Sequence, residues 1–302
     1  MTKRFPDWVR RKWASGESFE FTKDLVSTLH LHTVCQSAHC PNLGECWRRR
    51  TATFMILGNL CTRNCRYCSV PSGKPDGTVD VDEPEHVAQA VSEMQVRHAV
   101  ITSVTRDDLS DGGAGHFAQT VEAIQAASPT TSVELLTPDF DADESAVITV
   151  LESEPHVFGH NIETVRRLYS SLRGKRYSYE LGLDVLRIVA NQKTPTIIKS
   201  AFMVGHGETA AEVRQTLVDL REVGCDVVSI GQYLRPTRKQ REVAEFVHPD
   251  VLAEYEAMAY ELGFAFAVAG PFVRSSYRSE EVMDTELART RFGDFVIAAE
   301  QS

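Results

Sequence analysis

Apolar and polar positions in this chain follow two alternating rhythms. Short, apolar, often β-branched runs occur at Thr53–Leu57, Ala99–Val104, Ser132–Thr137, His156–Ile162, Thr196–Val204 and Val227–Tyr233. Runs of that length and composition predict buried parallel strands. Between them the period becomes helical. Val87, Ala90, Val91 and Met94 share one helical face, as do Val165, Leu168, Tyr169 and Leu172. Val213, Leu217, Leu220 and Val223 make another such stripe. These stripes are read as core packing. Strand–helix repetition implies right-handed βαβ units in an α/β fold. Six units predict a partial (β/α)6 barrel of the TIM type rather than the full eight. A further apolar run, Phe264–Ala269, follows a helical stretch around Val251–Leu262; it is either an additional strand or an extended tail.

Composition agrees with one globular unit. The chain has 302 residues, within the range of a single α/β barrel, and 42% are hydrophobic, enough for a sizeable core. No run approaches the roughly 18 apolar residues of a membrane span. The segment Met1–Gly16 is basic, carries Trp8 and Trp13, and lacks an apolar stretch. It is expected to be a structured arm rather than a secretory signal or a removable leader. A net charge of −10 argues against nucleic-acid partners. The charge is uneven: residues 1–75 carry 12 Lys/Arg and 5 Asp/Glu, so this quarter is +7 and the remainder −17.

Cysteine usage sharpens the picture. Of seven cysteines, six lie between Cys35 and Cys68. A chain of this size does not need disulfide staples, so the cluster reads as metal ligation in a reducing, cytoplasmic setting. Cys61, Cys65 and Cys68 form C-x3-C-x2-C just after the first predicted strand, with Tyr67 before the last cysteine. That is the carboxyl end of a barrel strand, where barrel active sites lie. Three thiolates on one tight loop can hold three irons of a [4Fe–4S] cube and leave the fourth open for chemistry. A zinc knuckle is the plain alternative, but zinc prefers paired C-x2-C spacings. The spacing resembles the signature of the radical S-adenosylmethionine superfamily. Cys35, Cys40 and Cys46, reading C-x4-C-x5-C, indicate a second cluster.

Together the two triads resemble the lipoyl synthases. The likeness extends through Cys35–Trp47, Thr51–Met55, Thr102–Leu109, Asp111–Phe117, His160–Thr164, Gly231–Thr237 and the Arg274-Ser-Ser-Tyr277 motif. The resemblance implies two [4Fe–4S] clusters and S-adenosyl-L-methionine as cofactors. It implies that Cys61, Cys65 and Cys68 hold the radical-generating cluster. Cys35, Cys40 and Cys46 would hold an auxiliary one, completed by Ser276, with Ser275 as the alternate. Oxygen is a harder ligand than thiolate and can be reprotonated and leave. The auxiliary cluster would be consumed, its sulfur entering C6 and C8 of a protein-bound octanoyl-lysine. Expected partners are octanoylated lipoyl carrier domains or a glycine-cleavage H protein, a ferredoxin- or flavodoxin-type reductant, and an iron–sulfur carrier that refills the auxiliary site. Rival readings are another radical sulfur-inserting enzyme, such as a biotin synthase-like one, and a noncatalytic iron–sulfur carrier.

The chain then divides into residues 1–50 with the auxiliary cysteines, 51–262 as the partial barrel, and 263–302 with the Arg-Ser-Ser-Tyr motif. Asn161, Glu163, Gly112 and Gly113, at strand ends, are candidate contacts for S-adenosylmethionine. Each also has a bland reading, the glycines as a flexible turn and Glu163 as a helix-start residue. The segment Met203–Glu208 looks like an adenine- and ribose-contacting region. Arg106, Asp107 and Asp108 are unranked candidates, His160 is a possible satisfied barrel histidine, and Cys225 is read as a core thiol. Arg48, Arg49 and Arg50 are a candidate docking patch for an acidic carrier protein.

Overall fold

The computed structural model describes residues 5–10, 16–175 and 177–300; residues 1–4 and 11–15 of the expected N-terminal arm lie outside them. Each of the six apolar runs holds a strand: β1 (Thr53–Ile56), β2 (His98–Ser103), β3 (Ser132–Leu136), β4 (Val157–Gly159), β5 (Ile197–Val204) and β6 (Val227–Gln232). The run left open is a seventh, β7 (Phe266–Gly270). All pair in parallel in the order of the sequence, and among the described residues β1 and β7 do not pair, so the barrel stays open.

The helices are α1 (Glu17–Thr28), α2 (Val34–Ser37), α3 (Leu43–Arg48), α4 (Glu83–Met94), α5 (Ala114–Ala127), α6 (Glu144–Glu152), α7 (Arg166–Arg173), α8 (Tyr179–Gln192), α9 (Ala210–Glu222), α10 (Pro249–Glu261) and α11 (Glu286–Glu300). Their starts are written locally. Pro84 opens α4, and Thr209 with Glu212 forms a reciprocal capping box at α9. The stripe Val87, Ala90, Val91 and Met94 is buried, as are Leu168, Tyr169 and Leu172 and the stripe on α9. Each Val, Leu or Met side chain among them contributes roughly 1.5–3 kcal/mol by leaving water.

Inside the sheet the side chains form layers. At the amino ends of the strands Val157, Ile197 and Val227 pack against Val282, Met283 and Ala288, with Phe292 and Phe295 of α11 behind them. Above this plug Lys199 Nζ donates to both Glu134 oxygens at 2.7 and 2.8 Å, and His98 Nε2 lies 3.2 Å from the same carboxylate. Lys199 on β5 reaches Glu134 on β3 across β4, whose residue in register with Lys199 is Gly159, which has no side chain to obstruct it. The carboxyl ends of the strands stand above this layer and open into a cavity.

Candidate iron–sulfur active site

The radical-triad loop is held from several sides. Leu57 and Gly58, both with positive φ, turn the chain out of β1. The Thr62 N–H donates to Thr105 O at 3.0 Å, and the Arg66 N–H to Leu172 O at 2.8 Å. Gln240 Nε2 donates to Cys68 O at 3.1 Å. The strongest anchor is Arg63, inside the motif and almost fully buried. It donates to Asp107 beyond β2 and to Asp139 beyond β3, at 2.7 Å in each case, and its guanidinium lies 4.1 Å from the Tyr177 ring centroid. Burial opposes ionisation of Asp139, but Arg63 outweighs it and lowers this carboxyl to about 2.

The second triad rests on two short helices. Thr33 caps α2, which carries Cys35, and the Cys40 N–H donates to Cys35 O at 3.0 Å. Cys46 lies on α3. The C-terminal segment is tied to this same region. Asn42 Nδ2 donates to Phe272 O at 2.8 Å, the Tyr277 hydroxyl to Glu45 at 3.0 Å, and Arg49 to Glu280 at 2.5 Å. These contacts bracket Ser275 and Ser276.

Both triads, Ser275 and Ser276, and Asn161 and Glu163 line one cavity of about 540 Å³. All seven cysteines are free thiols. Burial pushes Cys35 up to about 11, and Cys46 and Cys68 to about 12. Thiols raised in this way need a cation to hold them as thiolates. Ser103 Oγ, His160 Nε2 and Arg173 Nε are buried, line the cavity and have no hydrogen-bond partner in the protein. These atoms are themselves closed off from solvent, and the fit to a cluster rests on the cysteines. Among the described residues no three His, Cys, Asp or Glu side chains converge on a single ion. A cube bound one iron to each cysteine does not ask for such convergence. The donor set fits two iron–sulfur clusters.

The remaining sequence candidates separate. Glu163 is held in a left-handed conformation, φ 67°, by backbone bonds to Ala201 and Met203. Burial raises its carboxylate above the ordinary carboxylate range, opposed by the nearby Arg173. His160 Nδ1 donates to Thr137 O at 3.1 Å; burial lowers its pKa to about 4, so the ring is neutral. Gly112 and Gly113 are not among the cavity's lining residues. A Cβ on Gly113 would stand 2.3 Å from Leu57 Cδ1, and the Asp111 carboxylate accepts from the Gly113 and Gly115 N–H groups. These contacts pack the turn against Leu57. Arg106 is spent on Asp108 and on the Leu57 and Thr78 carbonyls, and Asp107 on Arg63. Within the basic run, Arg49 pairs with Glu280 and Arg50 lies over Phe21, and all three arginines are exposed.

Sequence reasoning missed Arg63, Asp139 and Arg173. Arg63 carried a signal, being enclosed by the motif itself. Arg173, at the end of α7, carried none. Phe5 and Val9 of the N-terminal arm also line the cavity.

The profile of the radical SAM superfamily matches residues 55–232. A lipoyl synthase of Halorhodospira halophila is 50% identical over 285 residues, covering 93% of this chain and 84% of its own. One of Caldicellulosiruptor saccharolyticus is 48% identical, covering 93% and 98%. The chain belongs to the lipoyl synthase family. It is a radical S-adenosylmethionine sulfurtransferase, with S-adenosylmethionine and [4Fe–4S] clusters as cofactors, two clusters being the family norm. Solved structures share the fold at low identity. Methylornithine synthase (PylB) aligns with a TM-score of 0.54 at 12% identity, covering 96% of this chain and 94% of that one. HydG from Carboxydothermus hydrogenoformans gives 0.55 at 14%, covering 90% and 82%. Among the described residues no helix is long and apolar enough to cross a membrane.

Proposed function

We propose that this chain inserts two sulfur atoms, at C6 and C8, into an octanoyl group carried on a lysine of a partner protein. The supporting observation is that both cysteine triads and the Arg-Ser-Ser-Tyr serines open into one cavity. With a cluster at each triad, a substrate chain in this one cavity would lie within the shared space of both. One-electron cleavage of S-adenosylmethionine to a 5′-deoxyadenosyl radical is the chemistry supplied at Cys61, Cys65 and Cys68 when a cluster is bound there. Cys35, Cys40, Cys46 and Ser276 hold the sulfur-donating cluster, with Ser275 as the alternate oxygen ligand. Asn161 and Glu163 orient the polar end of S-adenosylmethionine. Thr102, Ala201, Ser229 and Gly231 line the cavity from β2, β5 and β6, and the alkyl chain would lie against this wall.

In this reading residues 51–262 make the radical, while 1–50 and 263–302 together hold the sulfur. The bonds Asn42–Phe272, Glu45–Tyr277 and Arg49–Glu280 between those two extensions support the division. The substrate is an octanoylated lipoyl carrier domain or glycine-cleavage H protein. Electrons come from a ferredoxin or flavodoxin, and an iron–sulfur carrier refills the spent site. Free thiols fit a cytoplasmic setting.

Anaerobic reconstitution tests the reading. About eight irons per chain, two cubes' worth, are expected, with 5′-deoxyadenosine and a lipoylated product from an octanoylated peptide. About four irons, or cleavage of S-adenosylmethionine without thiolation, refutes it. Bound iron with no cleavage identifies a carrier instead.

A further inference from the structure

We propose that Arg173 and Glu163 set how readily the radical-generating cluster is reduced, through opposite charges held beside the Cys61–Cys65–Cys68 loop. The inference rests on that triad holding a cluster.

Arg173 ends α7 and Glu163 follows β4, so neither belongs to the loop itself. Both line the same cavity as Cys61, Cys65 and Cys68. The Arg173 side chain is 9% exposed and that of Glu163 is 17% exposed. Arg173 Nη1 donates to the Tyr67 hydroxyl at 3.3 Å and also faces Glu163. Tyr67 stands between Cys65 and Cys68, so the bond from Arg173 ends inside the cluster motif.

Arg173 and Glu163 carry opposite charges at the lining of the cavity into which the Cys61–Cys65–Cys68 loop opens. Arg173 differs from its neighbour Arg63, which two carboxylates match at 2.7 Å. Arg173 lies 3.4 Å from Asp139 and 3.9 Å from Glu163, and its Nε has no hydrogen-bond partner. Its charge is therefore incompletely cancelled in a place water does not screen well. Nearby charge is one of the levers that fix the potential of an iron–sulfur cluster. A cation stabilises the more negative, reduced state; an anion opposes it. Glu163 is fixed in this role by its left-handed backbone, which the bonds to Ala201 and Met203 enforce.

The test is a potentiometric titration of the reconstituted holoenzyme, without S-adenosylmethionine, at pH 8, followed by electron paramagnetic resonance. The relevant signal is the one that changes when S-adenosylmethionine is later added. Its absence from the parent protein refutes the proposed function, before any variant is made. Arg173→Gln is expected to move the midpoint to a more negative potential, and Arg173→Lys to keep it near the parent value. Glu163→Gln is expected to move it to a less negative one. A packing defect has no reason to give opposite signs. Unchanged midpoints, or shifts in the same direction, overturn the proposal. Where Arg173→Gln fails to retain iron, Glu163→Gln decides alone: a rise supports the proposal and no rise overturns it.

Discussion

The hydroxyl of Tyr277 donates to a carboxylate oxygen of Glu45 at 3.0 Å, across 232 positions of sequence. It joins the Arg-Ser-Ser-Tyr motif to the helix that carries Cys46. Tyr277→Phe removes the bond while keeping the ring. Its expected effect is selective: faster loss of iron from the second cluster and a several-fold drop in thiolated product. Cleavage of S-adenosylmethionine should stay near the parent rate. Equal loss of both activities would show that the bond supports the whole fold instead.

Arg63 is the cation between Asp107 and Asp139. Arg63→Met leaves Asp139, 1% exposed, without its strongest partner. Removing one member of a buried pair costs about 3–5 kcal/mol. Denaturant unfolding is expected to show a loss of that size, together with poor iron uptake at Cys61, Cys65 and Cys68. A loss under about 1 kcal/mol contradicts the buried-pair account.

Burial lowers His156, His160 and His206 from 6.5 to about 4. Between those values the unfolded chain binds protons that the folded chain does not, so stability rises with pH there and falls as pH drops through the window. The folded protein is expected to have a lower denaturation midpoint at pH 5 than at pH 7. His156→Gln should flatten the dependence, because Gln can still accept the Val133 N–H without titrating. An unchanged slope in that variant would remove His156 from the account.

Gly113→Ala tests whether the Asp111–Gly115 turn serves packing or ligand binding. The added methyl meets Leu57 Cδ1 on a backbone at φ 92°. The expected outcome is a loss of roughly 1–3 kcal/mol of stability with unchanged affinity for S-adenosylmethionine, read by equilibrium binding. A large affinity loss at constant stability would restore the glycines as ligand contacts.

The strands were legible because β1 to β6 are largely buried and therefore mostly apolar, the polar layer of His98, Glu134 and Lys199 excepted. β7 was ambiguous for a physical reason: it is an edge strand, and Phe266, Val268 and Ala269 are only partly buried. The cysteine triads were legible from spacing. Arg63 and Arg173 were not, since an arginine reads as solvent-facing unless its counter-charges are known. Those counter-charges, Asp107, Asp139 and Glu163, come from the ends of three different strands. Positive φ at Glu163 is likewise imposed by β5 and has no local mark. Gly112 and Gly113 admit both a ligand and a turn reading, because a glycine kept for close packing and one kept for close binding look alike in sequence.

The bond from Asn42 to Phe272 spans 230 residues. On a ribosome, Cys35, Cys40 and Cys46 emerge long before the segment that embraces them. The barrel strands can pair in order as they appear, since each strand's neighbour comes next in the chain. The second cysteine group packs early on α1 and β1, through the Thr33–Phe54 bridge and the Phe19–Trp47 ring contact, but its C-terminal side stays uncovered until Phe272 arrives. Its thiols wait through most of translation, and iron delivery to them belongs after synthesis, when the two distant pieces have met.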